Sequence, residues 1–351
     1  AGNIEISARN ITFNNGGNVT SFNTGEGNIG NITLTATEDI SFDGIRGTQR
    51  SGISNSVGEE ATGDVGEINV TAENLALTNG GQIQSLVAGR ANSGAINFNV
   101  DNTISVDGFG FGETEDRSAF LGSGISSNVA SIGIGNSGSI NIDTKNLSLS
   151  RNGFINSDIF GQGNAGNINI NADLITIGEQ GNTTITPSTI SSEAKSGLLE
   201  NPLLEANGGN IILNTGSLLI SNGGDVGVGI NAIGNSGNIT INATDTVSID
   251  GTGTLNDTEV ASGIFASNLP DSLGNGGSIE INAPNFSLTN NAILTTSNSG
   301  QGNAGSINVE VTDDFTAASN SLITSNIGTP QGVAAVGQVG NIDIKAREVI
   351  F

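Results

Sequence analysis

The sequence predicts an all-β protein, a right-handed single-stranded parallel β-helix (a solenoid) with three strands per coil and about 10–11 coils. Three observations carry this prediction. A glycine-led strand motif recurs along the whole chain, and its apolar residues keep the same positions each time. The composition agrees, because the 13 Phe are the only aromatic residues and Cys, Met, Trp and Tyr are absent. Such a chain suits a long, narrow core of Ile, Leu and Val better than one wide globular core.

The recurring motif is a Gly, one further residue, Ile, one outward residue and a second apolar residue. Ile occupies the first apolar position in every copy. Alternation of this kind marks a strand with one buried face. The same residue type at the same register in copy after copy predicts ladders of like side chains along one axis. The motif glycines are Gly2, Gly30, Gly66, Gly94, Gly138, Gly166, Gly209, Gly237, Gly277, Gly305 and Gly340.

The spacing of these glycines predicts the domain organisation. Every second interval is 28 residues long, and the others run from 35 to 44 residues. Short coils thus alternate with longer ones, and residues 1–351 are predicted to form one continuous β-helix. Coil pairs start near residues 2, 66, 138, 209 and 277, with a partial coil from 340. At about 4.8 Å per stacked coil, the rod would be roughly 50 Å long.

Two further strands are predicted in each coil, which gives a triangular cross-section. The second reads Leu75-Ala-Leu77 in a short coil. The third pairs an apolar residue with a small inward one, as in Ile83 and Ser85, and we expect ladders of serine hydroxyls there.

Turn residues follow the second strand: Asn-Gly in most short coils, and Asp-Gly at Asp43, Asp107 and Asp250 in three long ones. Positive φ at a sharp corner favours these residues. We interpret the pairs as corners between parallel strands and reject β-hairpins, because the short coils have constant length.

The long coils differ from the short ones by insertions, most of them between the second and third strands. They are predicted near residues 43–52, 107–124, 178–189, 193–208, 250–263 and 326–339. Insertions on every other coil would form a ridge along one corner, with about 9.6 Å between neighbours. Helical periodicity is absent, and one short helix is conceivable within 193–207.

The net negative charge of the chain argues against nucleic acid as a partner. The 34 acidic and 10 basic residues give a net charge of −24, whereas nucleic-acid binding needs clustered Lys and Arg. No apolar run is long enough for a membrane-spanning helix. No signal peptide is recognisable, and we expect any export signal to lie outside this chain.

The absence of His and Cys excludes Ser-His-Asp and Cys-His catalysis, His- or thiolate-ligated metals and disulfides. We predict no catalytic residue, no metal ligand and no cofactor. Asp43, Asp107 and Asp250 resemble a metal ladder, but their coils are at least roughly 9.6 Å apart, and Ca²⁺ needs oxygens at about 2.3–2.6 Å. We interpret them as turn residues.

The longest insertion supplies the candidate binding loop. Insertions in repeat proteins map to one face, often the binding face, although for any single insertion we favour a solvated tip that tolerates sequence drift. The residues that define this candidate loop are Phe109, Phe111, Glu113, Glu115, Asp116 and Arg117.

The paired coils resemble the passenger repeats of filamentous-haemagglutinin-like proteins of the two-partner secretion family, especially cyanobacterial ones. The segments that carry this resemblance are Leu147-Ser-Leu-Ser-Arg-Asn-Gly153, Gly161-Gln-Gly-Asn-Ala-Gly-Asn-Ile-Asn-Ile170, Asp245-Thr-Val-Ser-Ile-Asp-Gly251 with Ser262-Gly263-Ile264, and Gly300-Gln-Gly-Asn-Ala-Gly-Ser-Ile307. The resemblance covers essentially the whole chain, but the family's amino-terminal secretion domain is not recognisable in it. It implies an exported, non-enzymatic bacterial adhesin or extracellular filament, recognised by an outer-membrane transporter through a region not in this chain.

Two functions follow as expectations. The first is a structural or adhesive rod at the bacterial cell surface, with neighbouring copies or further repeats end to end and cell-surface glycans as partners. The second is a β-helix that binds or cleaves polysaccharide. It predicts acidic residues converging in a groove on one sheet face.

Overall fold

A computed structural model of the chain describes residues 2–111, 120–179, 187–195, 204–255, 258–328 and 335–351, without the side chains of Phe120 and Glu179. Within these ranges the protein is all β. Its strands stack in sequence order into two long parallel sheets, so the predicted parallel β-helix is confirmed. The described residues contain no helix, and therefore none that could cross a membrane.

The larger sheet, sheet 1, has 16 strands, and its central path joins one strand from each of eleven successive coils. These strands are Ile4–Ala8, Ile32–Ala36, Ile68–Thr78, Ile96–Asp107, Ile140–Ser150, Ile168–Glu179, Ile211–Ser221, Ile239–Asp250, Ile279–Ala283, Ile307–Val311 and Ile342–Lys345. The other five are Ile11–Asn14, Asp39–Asp43, Asn285–Thr289, Asp314–Ala317 and Glu348–Ile350. Motif isoleucines pair directly, as Ile140 does with Ile168.

Sheet 1 contains both the first and the second predicted strands. In the six central coils they run on as one strand of 11 or 12 residues. In the first two and last three coils they are separate strands. Where the joint carries an extra residue, as between Val100 and Thr103, the register shifts in a bulge and the ladder then continues.

The smaller sheet, sheet 2, holds the third strand of ten coils. Its members are Asn18–Asn23, Gly52–Val57, Gln82–Val87, Gly124–Val129, Phe154–Asn156, Thr189–Lys195, Asp225–Asn231, Gly263–Asn268, Ile293–Asn298 and Leu322–Ile327. A short parallel pair, Gly163–Asn164 with Ala206–Asn207, lies at the following corner. Thr189–Lys195 and Ala206–Asn207 are strands, so a helix over 193–207 is wrong at both ends; residues 196–203 lie outside the described ranges.

The core is a narrow apolar spine between the two sheets. The motif isoleucines of the central coils, such as Ile68, Ile168 and Ile239, are completely buried. Full burial of one such side chain stabilises the fold by about 1.5–3 kcal/mol. The spine therefore contributes from every coil along the axis.

Serine hydroxyls close the narrow corner, in part as expected. Ser93 Oγ bonds to Ser85 Oγ and, at 2.9 Å, to Ser127 Oγ. Ser157 Oγ instead donates to the Gly138 carbonyl at 2.9 Å and accepts from the Gly166 amide at 3.1 Å. The backbone of the motif glycines thus replaces neighbouring hydroxyls as the partner.

A ladder of polar side chains links the coils on the outside. Asn92 Oδ1 accepts the Asn136 amide of the next coil, and Asn136 Oδ1 accepts that of Asn164, both at 3.0 Å. We call this series the amide ladder. Its members, each bonded to the next, are Asn28, Asp64, Asn92, Asn136, Asn164, Asn207, Asn235, Asn275, Asn303 and Gln338.

Candidate functional site

Three insertions form antiparallel β-hairpins that project from one corner of the solenoid. Their strand pairs are Ile45–Arg46 with Gln49–Arg50, Phe109–Phe111 with Phe120–Gly122, and Thr252–Leu255 with Thr258–Ala261. The prediction that the Asp-Gly pairs at Asp43, Asp107 and Asp250 are corners and not two-residue hairpin turns is confirmed, but the hairpins within the insertions were not predicted. Each Asp-Gly lies at the base of a hairpin rather than at its tip, because the chain leaves and re-enters the parallel coil there.

A serine fastens the base of each hairpin to the solenoid. The Ser51 amide donates to the Gly44 carbonyl at 3.0 Å, and its hydroxyl donates to the Asp43 carbonyl at 2.7 Å. The same hydroxyl accepts the Gly16 amide of the preceding coil at 2.9 Å. Ser123 makes the equivalent three bonds in the second hairpin. These bonds let an insertion project without breaking the stack of coils.

The three corner aspartates are joined to the next coil. Asp43 Oδ1 accepts hydrogen bonds from the Thr78 hydroxyl at 2.6 Å and the Asn79 amide at 2.7 Å. Asp107 accepts from Ser150 and forms an ion pair with Arg151. Protein donors thus occupy these carboxylates, in keeping with their interpretation as turn residues. No group of three or more acidic side chains in the described ranges could hold a metal ion.

The first two hairpins touch across the intervening coil. An arginine donor, Arg50 Nη2, bonds to the Gly122 carbonyl. A Cβ at Gly110 would lie 2.5 Å from Ile45 Cδ1, so this glycine allows the close approach. The corner therefore carries a packed ridge at these two hairpins.

The structure places only part of the candidate binding loop. Phe109 and Phe111 lie on the second hairpin with ring centroids 5.3 Å apart, and Phe111 is 60% exposed. Glu113, Glu115, Asp116 and Arg117 lie outside the described residues. The described part is thus an aromatic pair on a projecting hairpin.

A cluster of charged side chains on the outer face of sheet 2 was not predicted. We call Asp158, Glu193 and Lys195 the Lys195 cluster. Lys195 Nζ lies 2.9 Å from Asp158 Oδ2 and 2.7 Å from Glu193 Oε2. Asp158 Oδ1 also accepts the Glu193 backbone amide at 3.0 Å, and the Asp158 residue is only 1% exposed. A buried carboxylate is thus held by a lysine and a backbone donor.

Burial dominates the electrostatics of this face. It raises the pKa of Asp158 to about 6, although Lys195 opposes the shift. Burial would lower the pKa of Lys195, but the Asp158 and Glu193 carboxylates outweigh it and raise that pKa. Asp225, one coil beyond Lys195, has a pKa raised to about 7 by burial, against a hydrogen bond from the Thr189 hydroxyl.

Among the described residues, this face has no close pair of carboxylates that is free of a cation. Asp225 pairs with Thr189, four residues before Glu193, which corresponds to about 13 Å along the strand. Asp158 and Glu193 are adjacent, but both are paired with Lys195. The arrangement therefore offers a buried ion pair and a separate protonatable carboxyl.

Comparison with protein-family models, curated proteins and solved structures found no match to this chain.

Sequence reasoning missed the Lys195 cluster because Asp158 and Lys195 are 37 residues apart and an insertion lies between their coils. The positions of two serines in the sequence could have revealed this cluster. Ser157 and Ser192 both occupy the inward position of the third strand, and aligning them would have set Asp158 beside Glu193.

Proposed function

We propose that this chain is a non-catalytic rod segment of a secreted bacterial surface protein, structural or adhesive in role. The observation that carries the proposal is the amide ladder, which runs without interruption from Asn28 to Gln338. A rod gains a cross-link at each step of this ladder along its axis, which suits a structural role.

The hairpins support a display role. They leave the solenoid at one corner, and serine bonds at Ser51 and Ser123 keep the coils in register beneath them. The exposed Phe111 ring is the apolar group that contact with a partner would bury. The strong negative charge keeps such rods apart from one another in solution.

Protease accessibility and attachment assays on the cells that produce the protein test this function. We expect the chain to be accessible to added protease on intact cells, and cells that lack it to attach less to surfaces. A variant without residues 109–122 tests the second hairpin, and one without 252–261 is its matched control. Retention of the protein inside the cell would refute the proposal, and full attachment by cells that lack it would refute the adhesive role.

Polysaccharide binding or cleavage is the second candidate. The observation that favours it is the set of acidic residues on one sheet face, namely Asp158, Glu193 and Asp225. A cleavage assay with and without Ca²⁺ tests it, with the double variant Asp158→Asn, Asp225→Asn as control. Cleavage that this variant loses would replace the rod proposal with an enzymatic one.

A further inference from the structure

A polar groove opens on the outer face of sheet 2 beside the first hairpin. Its volume is about 260 Å³. Hydroxyl and amide side chains line it, among them Thr20, Ser54 and Gln84, together with one cation, Arg50, and no carboxylate. This composition is unusual for a chain in which acidic residues outnumber basic ones by 34 to 10.

Arg50 is a half-buried cation. Its Nη1 donates to Gln82 Oε1 at 2.8 Å and its Nη2 to the Gly122 carbonyl, while the buried Nε has no partner. Over the described ranges, no carboxylate forms an ion pair with it. Burial lowers its pKa to about 10, so it stays charged at neutral pH. A desolvated charge without a counter-charge is costly, and an anionic ligand would offset this cost.

The groove lies over Gly52, whose closest neighbours do not include the aromatic ring found at the two equivalent glycines. Each hairpin is followed by a glycine at the start of the third strand: Gly52, Gly124 and Gly263. A Cβ at Gly124 would meet the ring of Phe154, and one at Gly263 would meet the ring of Phe265. The three atoms nearest to a Cβ at Gly52 belong to the Gln82 backbone, so none of its closest neighbours is a ring.

The neighbouring side chains can serve a ligand. The Gln84 side chain makes no hydrogen bond within the described part of the chain, which leaves its amide donors and its carbonyl available. Thr20 and Ser54 pair across adjacent strands on the same face. Hydroxyl and amide groups in this arrangement match the hydroxyls of a sugar, because each group can donate or accept.

We propose that this groove binds the oxyanion of an acidic saccharide, a carboxylate or a sulfate, at Arg50, with sugar hydroxyls bound by Gln84, Thr20 and Ser54. The inference goes beyond the rod function, since a rod that only displays its hairpins needs no ligand here. It shares a saccharide ligand with the second candidate function but places it at Arg50, away from Asp158, Glu193 and Asp225.

Titration of the full chain with three probes tests the inference. Oligogalacturonate supplies carboxylates, dextran sulfate supplies sulfates, and neutral dextran supplies hydroxyls alone. We expect one or both acidic probes to bind and neutral dextran not to bind. Affinity should fall as salt rises, because part of the attraction is between charges. Which acidic probe binds identifies the oxyanion, and binding of neither overturns the proposal.

Arg50→Gln should weaken binding about tenfold or more, because a charge-assisted hydrogen bond is lost. Arg46→Gln is the matched control: it removes the same charge from an exposed position on the same hairpin and should change affinity by less than about twofold. Equal losses in the two variants would indicate attraction to overall charge and overturn the proposal.

Two further variants keep the test decisive if Arg50→Gln lowers the melting temperature. Gln84→Ala breaks no described hydrogen bond and should weaken binding about threefold or more. Neutralising Glu113, Glu115 and Asp116 should leave affinity unchanged. If the acidic probes bound only to that last variant, the chain's own carboxylates would occupy the groove in the parent protein, and the proposal would be overturned. Binding in solution is independent of surface display, so its failure is distinct from failure of the rod function.

Discussion

The carboxylate of Asp250 accepts a hydrogen bond of 2.6 Å from the hydroxyl of Thr289, which lies one coil further along the axis. It also accepts the Asn290 amide at 2.7 Å. We expect Asp250→Ala to lower the free energy of unfolding by about 1–3 kcal/mol, since two donors lose a charged acceptor. Denaturant unfolding measures this. Asp101→Ala, at an exposed bulge, should stay within about 0.5 kcal/mol of the parent chain.

Chelation tests the corner aspartates in another way. Since protein donors occupy Asp43, Asp107 and Asp250, we expect EDTA to leave the melting temperature unchanged. Added Ca²⁺ should also have no effect, because a ligand raises stability only when it binds the folded state. A melting temperature that rises with Ca²⁺ and returns with EDTA would contradict this.

Ile211 and Ile212 are neighbours in the sequence but lie on opposite faces of their strand. Ile211 is fully buried in the spine, whereas its neighbour Ile212 points outward and is 36% exposed. Ile211→Ala should lower the free energy of unfolding by about 2–5 kcal/mol through lost burial and a residual cavity. Ile212→Ala should cost less than about 0.5 kcal/mol. Similar losses for both in denaturant unfolding would disprove the assigned strand register.

Asp225 should make stability depend on pH. Burial raises its folded-state pKa to about 7, so between roughly pH 4 and pH 7 the folded state holds a proton that the unfolded chain has released. The free energy of unfolding therefore falls as pH rises through this window. Asp225→Asn should remove a fall on the order of 4 kcal/mol. Asp101→Asn should keep the parent profile, and an unchanged profile in Asp225→Asn would count against the assignment.

We expect Lys195 to stabilise the ionised form of the buried Asp158 side chain. Lys195→Met leaves that carboxylate without its cation and should cost about 3–5 kcal/mol. The loss should be larger at pH 8 than at pH 5, because the pKa of Asp158 is raised to about 6 and the neutral acid tolerates burial. Adding Asp158→Asn should recover part of the loss. Lys345→Met, at an exposed lysine, is the control and should have little effect.

The repeating parts of this fold could be predicted, and the parts that differ between coils could not. Ile140 and Ile168 were predictable partners because every coil carries Ile at this register and the central coils bury it. The hairpin at Phe109–Phe111 was missed because antiparallel pairing lies within insertions that differ in length and sequence and has no counterpart in the short coils. Asp158 and Lys195 meet through one particular insertion length, and the groove at Arg50 depends on a ring that one coil lacks.

The alternation of 28-residue coils with longer ones has an evolutionary consequence. In the two long sheets each strand bonds only to strands of the coil before and the coil after it, so a duplicated pair can join the stack without disturbing a distant strand pairing. Length can then grow in fixed increments of about 9.6 Å per pair. Gene duplication could thus adjust the reach of the molecule while each hairpin diverges on its own.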